Sequence, residues 1–120
     1  MRILVTGREG QLVRSLVEHA AGRADLELIT AGRPEIDLER PGSIAEAIDA
    51  ARPDLVVNAA AYTAVDQAEQ EPERAFRINA DAAGEAAAAA RDVGARFVQI
   101  STDYVFDGSG DRAWRPDDPT

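Results

Sequence analysis

The strongest constraint on this chain is its opening stretch, Arg2-Ile3-Leu4-Val5-Thr6-Gly7-Arg8-Glu9-Gly10-Gln11-Leu12-Val13. An apolar run ends in Thr6-Gly7, and Leu12, Val13, Leu16, Val17 and Ala20 then recur at helical spacing. The period switches from a short buried strand to an amphipathic helix, with two glycines at the joint. This predicts a strand over about 2–6 and a helix over about 10–21. A strand, a glycine turn and a helix N-terminus together make an anion site, because the first helical N–H groups have no partner within the helix and its dipole favours a phosphate. Gly7 supplies the tight turn, and Gly10 lets a pyrophosphate approach the backbone. Val13 stands where a third glycine would allow close packing of helix on strand, which predicts a displaced helix or a repacked contact.

The same alternation continues. Leu26–Thr30 reads as a second strand and Leu55–Asn58 as a third, near-continuous in apolar residues as a doubly covered parallel strand should be. Arg96–Ser101 reads as a fourth. Ser43 with Glu46 three residues later predicts a capping box and a helix start. Val65–Glu69 reads as a helical turn. Pro72 opens a longer helix over about 73–93, with Phe76, Asn79, Ala83, Ala86, Ala87 and Ala90 on one face, and Gly94 caps it. The residues from Ser109 onward read as loop, with Trp114 as a local packing anchor. The fold class predicted is therefore α/β: a Rossmann-like, doubly wound parallel sheet, strand order 3-2-1-4 in chain numbering. That order puts the ligand crevice between the first and fourth strands and brings Gly7–Leu12 beside Ser101–Asp103.

Composition narrows the function. The formal net charge of −9 argues against nucleic acid and anionic membrane as partners. No apolar run approaches the roughly 20 residues of a transmembrane helix. A strand begins at once, leaving no room for a signal peptide, so a cytoplasmic setting is expected. No cysteine is present, which removes disulfides and thiolate metal sites; no metal site is predicted. His19, the only histidine, lies off the apolar stripe and is read as solvent-facing. At the tip of the second strand, Gly32-Arg33 replaces the acidic residue that binds ribose hydroxyls in NAD-specific folds. A small residue followed by arginine suits a 2′-phosphate, so NADPH is expected ahead of NADH.

Five motifs match one family in order: Thr6-Gly7-x-x-Gly10-Gln11-Leu12, Asp37-Leu38, Arg52-Pro53-Asp54, Val57 to Asp66, and Ser101-Thr102-Asp103-Tyr104-Val105-Phe106-Asp107-Gly108. Together they resemble the dTDP-4-dehydrorhamnose reductases, extended short-chain reductases that make dTDP-L-rhamnose. The resemblance implies NAD(P)H-dependent reduction of the 4-keto group of dTDP-4-dehydro-6-deoxy-L-mannose. It implies that Gly7, Gly10, Gln11 and Leu12 hold the pyrophosphate, that Asp37 and Leu38 border the adenine, and that Ala61, Tyr62 and Thr63 line the path to the nicotinamide. It makes Thr102 the catalytic hydroxyl and places Asp103, Tyr104 and Val65 against the dTDP-sugar, with a homodimer expected of the full-length protein.

Reduction of a ketone also needs a proton. In the family a tyrosine supplies it, its pKa lowered by a lysine four residues later. Here Tyr62 and Tyr104 are followed at that spacing by Asp66 and Gly108, and all 13 basic residues are arginine. Residues 1–120 therefore read as the N-terminal dinucleotide-binding part of a longer reductase, without the Tyr-x-x-x-Lys segment or the sugar-binding lobe, and inactive alone. The alternative is a non-catalytic NAD(P)-binding regulatory subunit, like that of methionine adenosyltransferase.

Overall fold

A computed structural model describes residues 1–120. Four parallel strands form the sheet: β1 (Arg2–Thr6), β2 (Glu27–Ala31), β3 (Leu55–Asn58) and β4 (Arg96–Gln99). The helices between them are α1 (Gln11–Ala20), α2 (Ser43–Ala51), α3 (Val65–Ala68), α4 (Pro72–Phe76) and α5 (Ala82–Asp92). No helix is long and apolar enough to cross a membrane.

The α/β class and parallel sheet agree with the sequence, but the strand order does not. It is β2-β1-β3-β4, not 3-2-1-4. Burial explains the difference. Val56 and Val57 point to opposite faces and are both buried, so β3 needs cover on both sides and takes a central place between β1 and β4. β2 is largely half-exposed and remains an edge. The segment after β2 adds no further strand; instead its Ile36 turns into the core.

This order fixes which face each helix covers. The step from β1 to β2 runs one way across the sheet, and the steps to β3 and β4 run the other way. Right-handed crossovers then put α1 on one face and both α2 and α5 on the opposite face. Two separate cores result. Leu4 and Val56 pack with Ile44 and Ile48 of α2 and with Ala86, Ala89 and Ala90 of α5. Ile3, Val5 and Val57 pack with Val13 of α1. The 3-2-1-4 order would have put α1 and α2 on the same face.

Three local expectations are corrected. α2 starts at Ser43 as predicted, but Gly42 is its N-cap, in the left-handed region at φ 84°, and no side chain caps it. Ser43 instead ties back to Asp37, donating its hydroxyl to the Asp37 carbonyl and accepting the Asp37 N–H. The long helix is continuous but widens into a π-turn over Arg77–Asp81. The extra residue in that turn shifts the buried face. Ile78 and Ala82 go inward, while Phe76 is 71% exposed. On α1 the Leu12/Leu16/Val17 stripe is shallow, and only Val13 is fully buried.

α5 is also fastened to the start of α2. Arg77 donates from Nη1 to Glu85 Oε1 at 2.9 Å, and Glu85 Oε2 accepts the Gly42 N–H at 3.1 Å. The Arg77 hydrogen bond holds the Glu85 carboxyl below the usual glutamate range. Arg77 Nε and Nη2 are buried without partners, so protonating Glu85 would weaken the main hydrogen bond this guanidinium makes. A depressed folded-state pKa contributes stability above the unfolded value, and that contribution is lost as pH falls through the folded value. Glu85→Gln should therefore lower stability at neutral pH and flatten its decline below about pH 4.3. Chemical denaturation across pH 3–7 checks this, and parallel pH curves for the two proteins would count against it.

Candidate functional site

The carboxyl ends of β1 and β3 are joined by one buried hydroxyl. Thr6 is fully buried and donates from Oγ1 to Asn58 Oδ1 at 2.7 Å. The same oxygen accepts the N–H groups of Ala59 and Ala60, each at 3.0 Å. Asn58 then donates from Nδ2 to Gln99 Oε1 at 2.8 Å, which carries the network to the end of β4. The loop that leaves β3 is fixed to β1 in this way. Asn79, in the π-turn, holds the same loop at Tyr62, accepting the Tyr62 N–H and donating to the Tyr62 carbonyl. The helical pattern puts Asn79 on the face shared with Ala83 and Ala86; its tie to the Tyr62 backbone gives the widened turn a purpose.

The connections leaving β1 and β3 run in opposite directions across the parallel sheet, so the crevice opens between the carboxyl ends of β1 and β3 rather than between β1 and β4. Ser101–Asp103 is therefore one strand further from the glycine turn than expected. Two clefts open along the carboxyl ends and share Ala60, Ala61, Tyr62 and Ile78. The first, about 470 Å³, lies over Gly7, Gly32, Arg33 and Leu38. The second, about 580 Å³, lies over Thr63, Val65, Asn79, Thr102 and Tyr104.

The glycine turn has the geometry of a close approach. Gly7 sits at φ 103°, where an L side chain is strained, and its N–H donates to the Ala31 carbonyl at 2.7 Å. A Cβ on Gly7 would lie 3.3 Å from Val13 Cγ2. Val13 is therefore a repacked contact: its methyl group is the floor of the turn. Gly10 is the N-cap of α1, and no side chain caps the helix. The N–H groups of the first turn have no intrahelical acceptor, so an anion could take them, and the residues here fit a bound pyrophosphate. Gln11 and Leu12 are exposed at that terminus.

The other predicted residues fall as follows. Leu38 lines the first cleft. Asp37 lies behind it and accepts the Glu39 N–H on its carboxylate. Arg33 lines the same cleft but is engaged by carboxylates, at 3.4 Å from Asp37 and 2.5 Å from Glu39. Ala61, Tyr62 and Thr63 line the second cleft with Val65, Thr102 and Tyr104. Val65 and Tyr104 are 58% and 80% exposed. Thr102 caps a 3-10 turn over Asp103–Val105, accepting the Tyr104 N–H, and Asp103 is exposed outside the lining. His19 is exposed on α1, as expected, with Nδ1 2.8 Å from the Ser15 carbonyl. Trp114 stacks on Phe106 with centroids 4.9 Å apart, the local anchor expected of it.

The sequence reading missed a connected polar cluster. Arg74 donates to Glu39 from Nε and Nη2, and to Glu71 from Nη1. Glu71 accepts the Tyr62 hydroxyl at 2.7 Å. That bond raises the pKa of Tyr62, so its hydroxyl stays protonated and committed to a carboxylate. Arg8 also lines the first cleft, folded against Gly32 and paired with Glu35. An arginine inside the glycine motif was the one available signal for it.

Sheet order, glycine turn and a cleft at the strand-order reversal define a Rossmann-like α/β domain. The family described as the RmlD substrate binding domain matches residues 1–120. The chain belongs to this family. A dTDP-4-dehydrorhamnose reductase of Sinorhizobium fredii is 47% identical over 109 residues, covering 91% of this chain and 36% of the relative. The crystal structure of a dTDP-4-dehydrorhamnose reductase from Clostridium acetobutylicum superposes with a TM-score of 0.91 at 39% identity, covering 98% of this chain and 42% of that one. One from Bacillus anthracis, solved in complex with NADP, gives 0.81 at 37% identity over 89% and 38%. The chain thus spans about two-fifths of the length of such relatives.

Proposed function

We propose that residues 1–120 are the dinucleotide-binding part of an NADPH-dependent reductase that converts dTDP-4-dehydro-6-deoxy-L-mannose to dTDP-L-rhamnose. The observation that carries this reading is the meeting of two clefts at Ala60–Tyr62, with the glycine turn and Arg33 at one end and Thr102 at the other. Family membership and the relatives' names support the same reaction. Gly7, Gly10, Gln11 and Leu12 would hold the pyrophosphate, and Asp37 and Leu38 would border the adenine. Arg33 would meet the 2′-phosphate, and Ala61, Tyr62 and Thr63 would flank the nicotinamide. Val65, Asp103 and Tyr104 would take the sugar nucleotide in a soluble, cytoplasmic protein.

The bound dinucleotide would supply the hydride. The chain's own contribution is to place Thr102 Oγ1 where it can donate to the ketone oxygen as negative charge grows there. Neither tyrosine of this chain suits the role of proton donor. The Tyr62 hydroxyl is held by Glu71, and the chain contains no lysine to pair with either tyrosine. The acid in this reading lies outside these 120 residues.

Titration of NADPH and NADH by fluorescence tests the cofactor assignment. NADPH should bind more tightly, and Arg33→Ala should remove about 1–2 kcal/mol of that preference, as partly exposed charge-assisted bonds contribute. Equal affinities, or an unaltered preference in Arg33→Ala, would defeat the reading.

A further inference from the structure

Arg33 carries this cofactor reading, yet carboxylates already engage it. Glu39 Oε2 lies 2.5 Å from Arg33 Nη2, and Asp37 Oδ1 lies 3.4 Å from Arg33 Nε. A 2′-phosphate approaching Arg33 must compete with Glu39, and a carboxylate left without a partner beside the phosphate would repel it. Glu39, however, is shared. Arg74 reaches it from α4 across the first cleft, with Nε 2.6 Å from Oε1 and Nη2 3.2 Å from Oε2. That pair is bidentate, so it holds Glu39 more firmly than the single Nη2 contact from Arg33. Arg74 is itself steadied by Glu71 at 3.0 Å, and its guanidinium lies 5.1 Å from the centroid of the Tyr62 ring.

We infer that Arg74 is a positioning residue for dinucleotide choice: it keeps Glu39 neutralised and in place, so that Arg33 is free to turn to a 2′-phosphate. The inference rests on the assignment of Arg33 to that phosphate. It gives a role to an arginine–glutamate pair that the glycine motif and the Thr102 segment leave unused. Without Arg74, Glu39 has only Arg33 to pair with, and the two lock together. NADH carries no 2′-phosphate and gains nothing from a free Arg33, so the effect falls on the ratio of the two affinities.

The test measures NADPH and NADH dissociation constants for Arg74→Gln, Glu39→Gln, the double variant and Arg33→Ala, with a thermal melt of each. Arg74→Gln should lower the NADPH-to-NADH preference about fivefold or more, the size of a coupling between groups in one ion-pair network. Adding Glu39→Gln should restore it, because the competing charge is gone. Glu39→Gln alone should raise the preference, and this variant answers the question even if Arg74→Gln melts early. A preference unaltered in Arg74→Gln, an equal loss for both cofactors, or no rescue by Glu39→Gln would overturn the inference. A preference unaltered in Arg33→Ala would instead remove the 2′-phosphate assignment, and the inference with it.

Discussion

Thr6→Val is expected to lower stability by about 2–4 kcal/mol and to loosen the whole carboxyl end of the sheet. Valine matches threonine in shape but supplies neither donor nor acceptor. The substitution strands Asn58 Oδ1 and the N–H groups of Ala59 and Ala60, all of which now meet the Thr6 hydroxyl. A buried polar group left unpaired costs about 1–3 kcal/mol. Asn58 is 2% exposed and bears the full cost, while Ala59 and Ala60 are half-buried and can recover part of theirs from water. For a chain of this size the melting temperature should fall by roughly 10 °C. The loop through Tyr62 lies in both clefts, so NADPH affinity should fall as well. Thr6→Ser keeps the hydroxyl and should preserve both properties within about 1 kcal/mol. Equal melting of the valine and serine variants would show that the hydroxyl holds nothing together.

Thr6 also shows how far the sequence could be read. The strand–glycine–helix unit was legible because periodicity and glycine spacing are local, and the motif blocks at Val57–Asp66 and Ser101–Gly108 begin at or just after strand ends. The strand order was not legible in that way. It depends on which strand needs cover on two faces, and the unbroken apolar run of β3 against the mixed β2 marks the type of strand without naming its neighbours. The π-turn was hidden because it inserts one residue into an otherwise regular helical pattern. Ser43 had the spacing of a capping box but lies one residue inside the helix, where Asp37 competes for its hydroxyl. The Glu39–Arg74–Glu71–Tyr62 cluster joins the loop after β2, the start of α4 and the loop after β3. Each member reads alone as an ordinary surface residue, and only the fold brings them together.

Val13→Gly is expected to destabilise the chain by about 2–4 kcal/mol and to weaken dinucleotide binding rather than strengthen it. On motif grounds alone a glycine here would bring α1 closer to β1. The structure shows no gap to close. Val13 is 2% exposed and packs with Ile3, Val5 and Val57, and its Cγ2 methyl lies 3.3 Å from the position a Gly7 Cβ would occupy. Removing the side chain forfeits burial worth about 1.5–3 kcal/mol. Glycine within the helix adds about 0.5–1 kcal/mol. The space left lies directly beneath the turn that carries Gly7, in which the backbone already holds φ 103°. A turn without its floor samples more conformations, and the N–H groups of the first turn of α1 lose the fixed aim that the proposed pyrophosphate contact needs. Val13→Ala separates the two contributions, because it opens most of the same space while keeping helix propensity. It should bind NADPH about as weakly as the glycine variant and melt somewhat higher. Calorimetric titration and thermal melts on the three proteins decide the matter. Tighter binding by Val13→Gly would mean that the valine holds the helix away from the pyrophosphate after all, and unaltered binding would mean that the turn keeps its shape without support from below.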